Sequence, residues 1–183
     1  EIEENCSKSR KIVRNQRKLF EIDENCAMAY AGLGHCDVIN AWHHEFDPHK
    51  RKNLFTTGSA FAEKAREIDP KLALPYVSLS LSSLLQSHEN KALELSQEGV
   101  VQCPNMPDTL VASGIINTAL ANFDEAINSI NKAIDLDPLY KTVFLSLINW
   151  HYAINNYNDA IEVYEREFSN ILTEDLPICH WGL

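Results

Sequence analysis

Along this chain, apolar residues recur at helical spacing in short amphipathic stretches, and the same order of apolar, small and acidic residues returns at a fixed interval. Pro70, Pro104 and Pro138 stand 34 residues apart. The text around them repeats in register, as A-R-E-I-D-P-K-L-A-L-P-Y-V-S-L-S from Ala65 and A-I-D-L-D-P-L-Y-K-T-V-F-L-S-L from Ala133. E-I-D-E-N-C-A-M-A-Y-A-G-L-G from Glu21 keeps the pattern with Glu24 in the proline's place. A helical pattern with this period predicts an all-α solenoid of stacked helix pairs. Helices of about 14 residues are too short to stand alone in water, so each must bury its apolar stripe against neighbours.

Counting Pro138 as the thirty-second position of a unit makes Pro107 the first, inside a first helical turn where proline is tolerated. The predicted first helix covers Pro107–Leu120. The second covers Phe123–Leu136 and ends at Asp137-Pro138, because proline disfavours helix at the residue before it. Close packing of the pair requires small residues where the helices cross. Gly114, Ala126 and Ala133 supply them at the eighth, twentieth and twenty-seventh positions. With the aromatic Phe123 ahead of Glu125-Ala126, this segment resembles the tetratricopeptide repeat. The unit from Ala73 matches too, through Tyr76, Leu79, Ser80, Ala92, Gly99 and Pro104. The unit from Lys141 keeps Phe144, Leu147, Tyr157, Ala160 and Tyr164, but has Ile148 where the family has glycine and Glu167 where it has alanine, as in a looser or terminal unit.

The resemblance implies a right-handed superhelix of antiparallel helix pairs, about nine helices in a single repeat domain over 1–183. Its divisions are a partial unit 1–26, a long unit with an insertion 27–72, units 73–106 and 107–140, a degenerate unit 141–174, and a tail or partial unit 175–183. The unit from Ala27 begins well, with Tyr30, Leu33 and Gly34 in place, yet its proline arrives twelve residues late. The expectation is a first helix extended to His44, an inserted loop from Glu45 to Lys52, and a second helix containing Ala62 and Ala65. Residues 3–22 read as the second helix of an earlier unit, and Trp181-Gly182 as the start of a later one. The chain therefore reads as a piece of a longer protein. A long first repeat followed by regular units is also similar to repeat arrays beside bacterial cyclase or regulatory domains, which implies a module joined to an output domain.

In the resembled family, the first helix of each unit lines the concave surface through its second, fifth, ninth and twelfth positions. Here these are Met28, Ala31, His35 and Val38, then Leu74, Val77, Leu81 and Leu84, then Asp108, Val111, Ile115 and Thr118, then Thr142, Leu145, Asn149 and Tyr152. The lining is mostly apolar and lacks the lysine, arginine and asparagine clamp with which some members hold an acidic chaperone tail. The candidate partner groove is Leu74, Val77, Leu81, Leu84, Val111, Ile115, Leu145, Asn149 and Tyr152. It suits an amphipathic helix or peptide with apolar anchors and basic flanks. The competing reading makes these side chains interior contacts between successive helices, or covers them with residues 171–183.

Charge refines the partner. Residues 1–71 hold twelve basic and twelve acidic side chains, whereas 72–183 hold four basic against fourteen acidic, which gives the net −10. The acidic second part would repel nucleic acid. Lys8, Arg10, Lys11, Arg14, Arg17 and Lys18 form one basic run, read as the wet face of a helix or a docking patch for an acidic partner.

Candidate chemistry is sparse. Trp42–His49 (W-H-H-E-F-D-P-H) holds imidazoles and carboxylates suited to zinc, but not the histidine spacing of a zinc-protease helix, and Pro48 is expected to break any helix there. The expected structure is a loop with Trp42 and Phe46 packed inward. No phosphate loop, dinucleotide fingerprint or nucleophile elbow occurs. Asn5-Cys6-Ser7 fits the glycosylation triplet, a pattern short enough to arise by chance. Five cysteines without C-x-x-C spacing favour reduced thiols and a cytoplasmic setting. No apolar run is long enough to span a bilayer, and the chain carries no basic-then-apolar leader.

The resulting expectation is a non-catalytic protein-binding scaffold, with no cofactor and no catalytic or metal residue, whose edge units are open to self-association. The alternative is a ligand- or metal-responsive regulatory module of a larger protein.

Overall fold

A computed structural model of the chain describes residues 25–168. These form eight α-helices: α1 Ala27–His43, α2 Pro48–Ile68, α3 Ala73–Leu85, α4 Glu89–Gln102, α5 Pro107–Ala119, α6 Phe123–Leu136, α7 Lys141–Ala153 and α8 Tyr157–Phe168. The ninth expected helix (3–22) and the partial unit at 175–183 lie outside the described residues. The chain divides into two compact units, Glu1–Pro104 and Asn105–Leu183.

In the first unit α1 pairs with α2 and α3 with α4, and α3 also packs against both helices of the preceding pair. In the second, α5 pairs with α6 and α7 with α8, and α7 packs against both α5 and α6. Each unit is thus two stacked antiparallel hairpins, as the 34-residue period requires. The small crossing residues explain the close approach: Ala62, Ala65, Ala92, Ala126 and Ala133 have no accessible surface. Pro107 opens α5 as expected, and α6 occupies the expected Phe123–Leu136.

The turns inside the regular hairpins share one device that the sequence reading does not anticipate. Ser87, Ala121 and Asn155, again 34 residues apart, each adopt φ 60°. After each, the next amide closes back on a carbonyl five residues earlier: His88 on Ser83 at 2.9 Å, Asn122 on Asn117 at 2.9 Å and Asn156 on His151 at 2.8 Å. This left-handed closure satisfies carbonyls that the helix end would otherwise leave bare.

The long first repeat corrects an expectation. α1 runs to His43, close to the expected end at His44, but Pro48–Lys52 of the expected inserted loop is helix. α1 has 17 residues against 13 in α3, and α2 has 21 against 14 in α4. Only His44–Asp47 lies between α1 and α2. Pro48 starts α2 instead of breaking it, because Asp47 caps the helix by accepting from the His49 and Lys50 amides at 2.9 and 3.1 Å. At about 1.5 Å per residue, the α1–α2 hairpin reaches roughly 6 to 10 Å further from its crossing point than α3–α4.

Candidate functional site

The groove residues fall into two sets, one in each unit. On α3, Leu74, Val77 and Leu84 are half-buried, while Leu81 is only 4% exposed. On α5, Ile115 is half-buried and Val111 is again 4% exposed. A partner could reach Leu81 or Val111 only by displacing neighbouring helices, so these two side chains act as interior contacts that support the face. α7 presents the most open set. Leu145 and Tyr152 are 36% and 49% exposed, with half-buried Asn149 between them on the same helical stripe.

The corresponding positions of α1 are mostly occupied by packing. Ala31 and Val38 have no accessible surface, and His35 Nδ1 lies 3.2 Å from Ser78 Oγ on α3. Met28 alone of the four is open to solvent.

Polar contacts set the geometry around these faces. Tyr140, at the start of α7, donates its hydroxyl to Asp108 Oδ1 of α5 at 2.6 Å, which ties successive first helices together. Burial, and then the Asp108 carboxylate, push the Tyr140 phenol up to about 12. Asp108 is thereby engaged in packing rather than offered to a ligand. Thr118 donates to the Gly114 carbonyl at 2.8 Å. Trp150 Nε1 donates to the Phe123 carbonyl at 2.9 Å, fixing α7 against α6. In the first unit, Arg66 of α2 binds Glu98 of α4 at 2.9 Å and Glu63 at 2.7 Å, and lies 5.9 Å from the centre of the Tyr76 ring. Lys141 and Glu167 meet at 3.0 Å, so the acidic departure from the repeat pattern at 167 holds the two ends of the last described hairpin together.

The histidine segment is built differently from expectation. Phe46, expected to pack inward, is 88% exposed. The short, helix-bounded turn offers no interior for it. Trp42 stacks on His43 with ring centres 4.5 Å apart, and the Asp47 carboxylate is engaged in the cap. Among the described residues no three His, Cys, Asp or Glu side chains converge as metal ligands. Among those residues too, no helix is long and apolar enough to cross a membrane.

Two exposed features escaped the sequence reading. Phe46 is one. The other is the outer face of α8, where Tyr157 and Ile161 are 48% and 55% exposed and the Tyr157 ring meets Tyr152 edge-on at 5.4 Å. Tyr157 and Ile161 stand four apart in an amphipathic pattern, which by itself signals a buried stripe.

No family model matches the chain, and no curated protein matches it. Solved structures do. YrrB, described as a TPR protein with an unusual peptide-binding site, is 17% identical, with TM-score 0.52 over 91% of this chain and 79% of that one. A thermophilic TPR protein of Thermus thermophilus is 15% identical, with TM-score 0.66 over 82% of this chain and 75% of that one. MamA is 14% identical, with TM-score 0.55 over 92% and 91%. At such identities the likeness speaks of architecture, and it agrees with the hairpins, crossing residues and period described above. The chain has the tetratricopeptide-repeat fold, an all-α solenoid of antiparallel helix pairs.

Proposed function

We propose that this protein is a non-catalytic interaction module that holds a peptide or helix of a partner protein against the first helices of its repeats. The observation that carries this reading is the face of α7, where Leu145 and Tyr152 stand open on either side of Asn149. Two apolar anchors with a central amide suit an extended or helical segment: the apolar groups fill pockets and the amide fixes register. Ile115 of α5, in the same unit, is the further contact in this reading, and Leu74, Val77 and Leu84 of α3 are a separate set of contacts within the first unit. The acidic excess of residues 72–183 favours a partner whose apolar anchors are flanked by Lys or Arg. The reading is supported by YrrB, a TPR protein of similar fold described as having an unusual peptide-binding site. A reducing, cytoplasmic setting belongs to the same reading, favoured by five cysteines without C-x-x-C spacing.

The test is capture of partners from the native lysate, followed by titration of the identified segment against wild type, Leu145→Glu and Tyr152→Glu. Both side chains are open enough for the variants to fold. Affinity should fall at least tenfold in each, with unchanged circular dichroism. Binding that survives both changes rejects the α7 face as the site.

A further inference from the structure

The α1–α2 turn displays an aromatic side chain on a rigid, cationic support. Phe46 stands in water, yet the chain around it is pinned on both sides. The amides of His44 and Glu45 both donate to the Asn40 carbonyl at 3.0 Å. Glu45 Oε1 accepts from the Asp47 amide at 2.9 Å. Asp47 caps α2, and Arg51 Nε donates to the Ala41 carbonyl at 2.9 Å. Both carboxylates of the turn are thus engaged by backbone amides, while Lys50 and Lys52 are exposed on the first turns of α2. A backbone held in place before binding avoids part of the ordering cost of association, and exposed aromatics of this kind are the usual anchors of interfaces.

The complementary chemistry occurs on the same chain. Tyr152, Tyr157 and Ile161 form an exposed aromatic and aliphatic patch on α7 and α8. Exposed Glu162 and Glu165 lie beside it, on a helix that carries Asp159, Glu162, Glu165 and Glu167 against a single Arg166. One surface offers an aromatic anchor with lysines, the other an apolar seat with glutamates. We infer that the α1–α2 turn of one molecule docks on the α7–α8 face of a second copy, with Phe46 on the Tyr152, Tyr157 and Ile161 patch and Lys50 and Lys52 facing Glu162 and Glu165. The two surfaces differ, so each molecule offers one of each to its neighbours. Opposite charges steer the encounter and make it sensitive to salt. This inference does not rest on the peptide-binding reading, although Tyr152 belongs to both faces. The variants below leave Tyr152 intact.

Sedimentation equilibrium of the full chain tests it. The average mass should rise above that of a monomer with concentration and fall as salt is added. Phe46→Ala, at a side chain with almost no packing to lose, should weaken association at least tenfold, as should the pair Glu162→Lys and Glu165→Lys. The decisive arm mixes these two proteins. Each retains one intact surface, so the mixture should form dimers and stop there. A chain that is monomeric throughout overturns the inference, as does association indifferent to Phe46→Ala or to the glutamate reversals. Phe46-dependent sedimentation with phosphatidylserine vesicles by a chain that remains monomeric also overturns it, and would assign the turn to a membrane surface.

Discussion

Gly34 of α1 and Gly58 of α2 face each other backbone to backbone. A Cβ on Gly34 would lie 2.7 Å from the Gly58 carbonyl oxygen and 2.9 Å from the Ala62 nitrogen, and a Cβ on Gly58 would lie 2.9 Å from the Gly34 carbonyl oxygen. Counted back from Pro70, Gly58 holds the twentieth position of its unit and Gly34 the eighth. The twelve extra residues therefore fall between the two crossing points, in the part of the hairpin that carries Phe46.

Alanine at either glycine should be costly. Substitution inside a helix gains about 1 kcal/mol of propensity, but here it drives a methyl into backbone, which cannot rotate away. Overpacking of this kind costs about 1 to 3 kcal/mol, and more where nothing yields. Gly34→Ala should lower the melting temperature despite its better propensity. Gly114→Ala meets Ile130 Cγ1 at 2.7 Å, a side chain that can shift, and should be the milder change. A melting series in which Gly114→Ala is the worse of the two would contradict this ranking.

The left-handed residue at 121 predicts the opposite sign for the reverse substitution. Ala121 is exposed and holds φ 60°, where a Cβ costs energy that glycine does not incur. Ala121→Gly should raise stability by about 0.5 to 1 kcal/mol. Chemical denaturation of the two proteins side by side measures it, and a loss on substitution would mean the turn is not closed as described.

The Tyr140–Asp108 contact gives a prediction for alkaline pH. The folded-state value of the phenol, about 12, lies above the ordinary value of 10. Its contribution is thus fully present below about pH 10 and is lost as pH rises through the folded value. Asp108→Asn removes the carboxylate that helps to raise it, so the Tyr140 phenolate should form at lower pH. Ultraviolet titration of the phenolate in wild type, Asp108→Asn and Tyr140→Phe separates this tyrosine from the others. An unchanged titration in Asp108→Asn would exclude the pairing.

Asp47 predicts an effect at the acidic end. The Lys50 amide, followed by that of His49, holds its carboxyl below the ordinary carboxylate range. The stabilisation is therefore present above the unfolded value and lost as pH falls through the folded one. Asp47→Ala should lower the thermal midpoint near neutral pH, and the gap from wild type should narrow in strong acid. A gap of equal size at both pH values would mean that the side chain acts through packing instead of its charge.

The repeat period, the small crossing residues and the prolines made the hairpins legible, down to the bounds of α6. The extension of α1 was legible too, but the start of α2 was misread because the rest of the twelve-residue excess looks the same in sequence whether it forms a loop or lengthens the second helix. Asp47-Pro48 held the deciding signal, since an aspartate followed by proline opens a helix as readily as a proline ends one. The partner face was legible only as a list. The repeat register places Leu81 and Leu145 on first helices alike, but one is buried and the other open. Exposure depends on the helices packed around each position, which the register does not encode.

The sequence by itself determined the all-α repeat architecture and the acidic character of the second part, because helical periodicity, small residues at fixed spacing and net charge are properties of the chain's order alone. Tertiary structure decided which apolar side chains remain in water, that Phe46 stands out on a pinned turn, and that Tyr140 reaches Asp108. These depend on distances between segments far apart in the chain, fixed only when the helices pack.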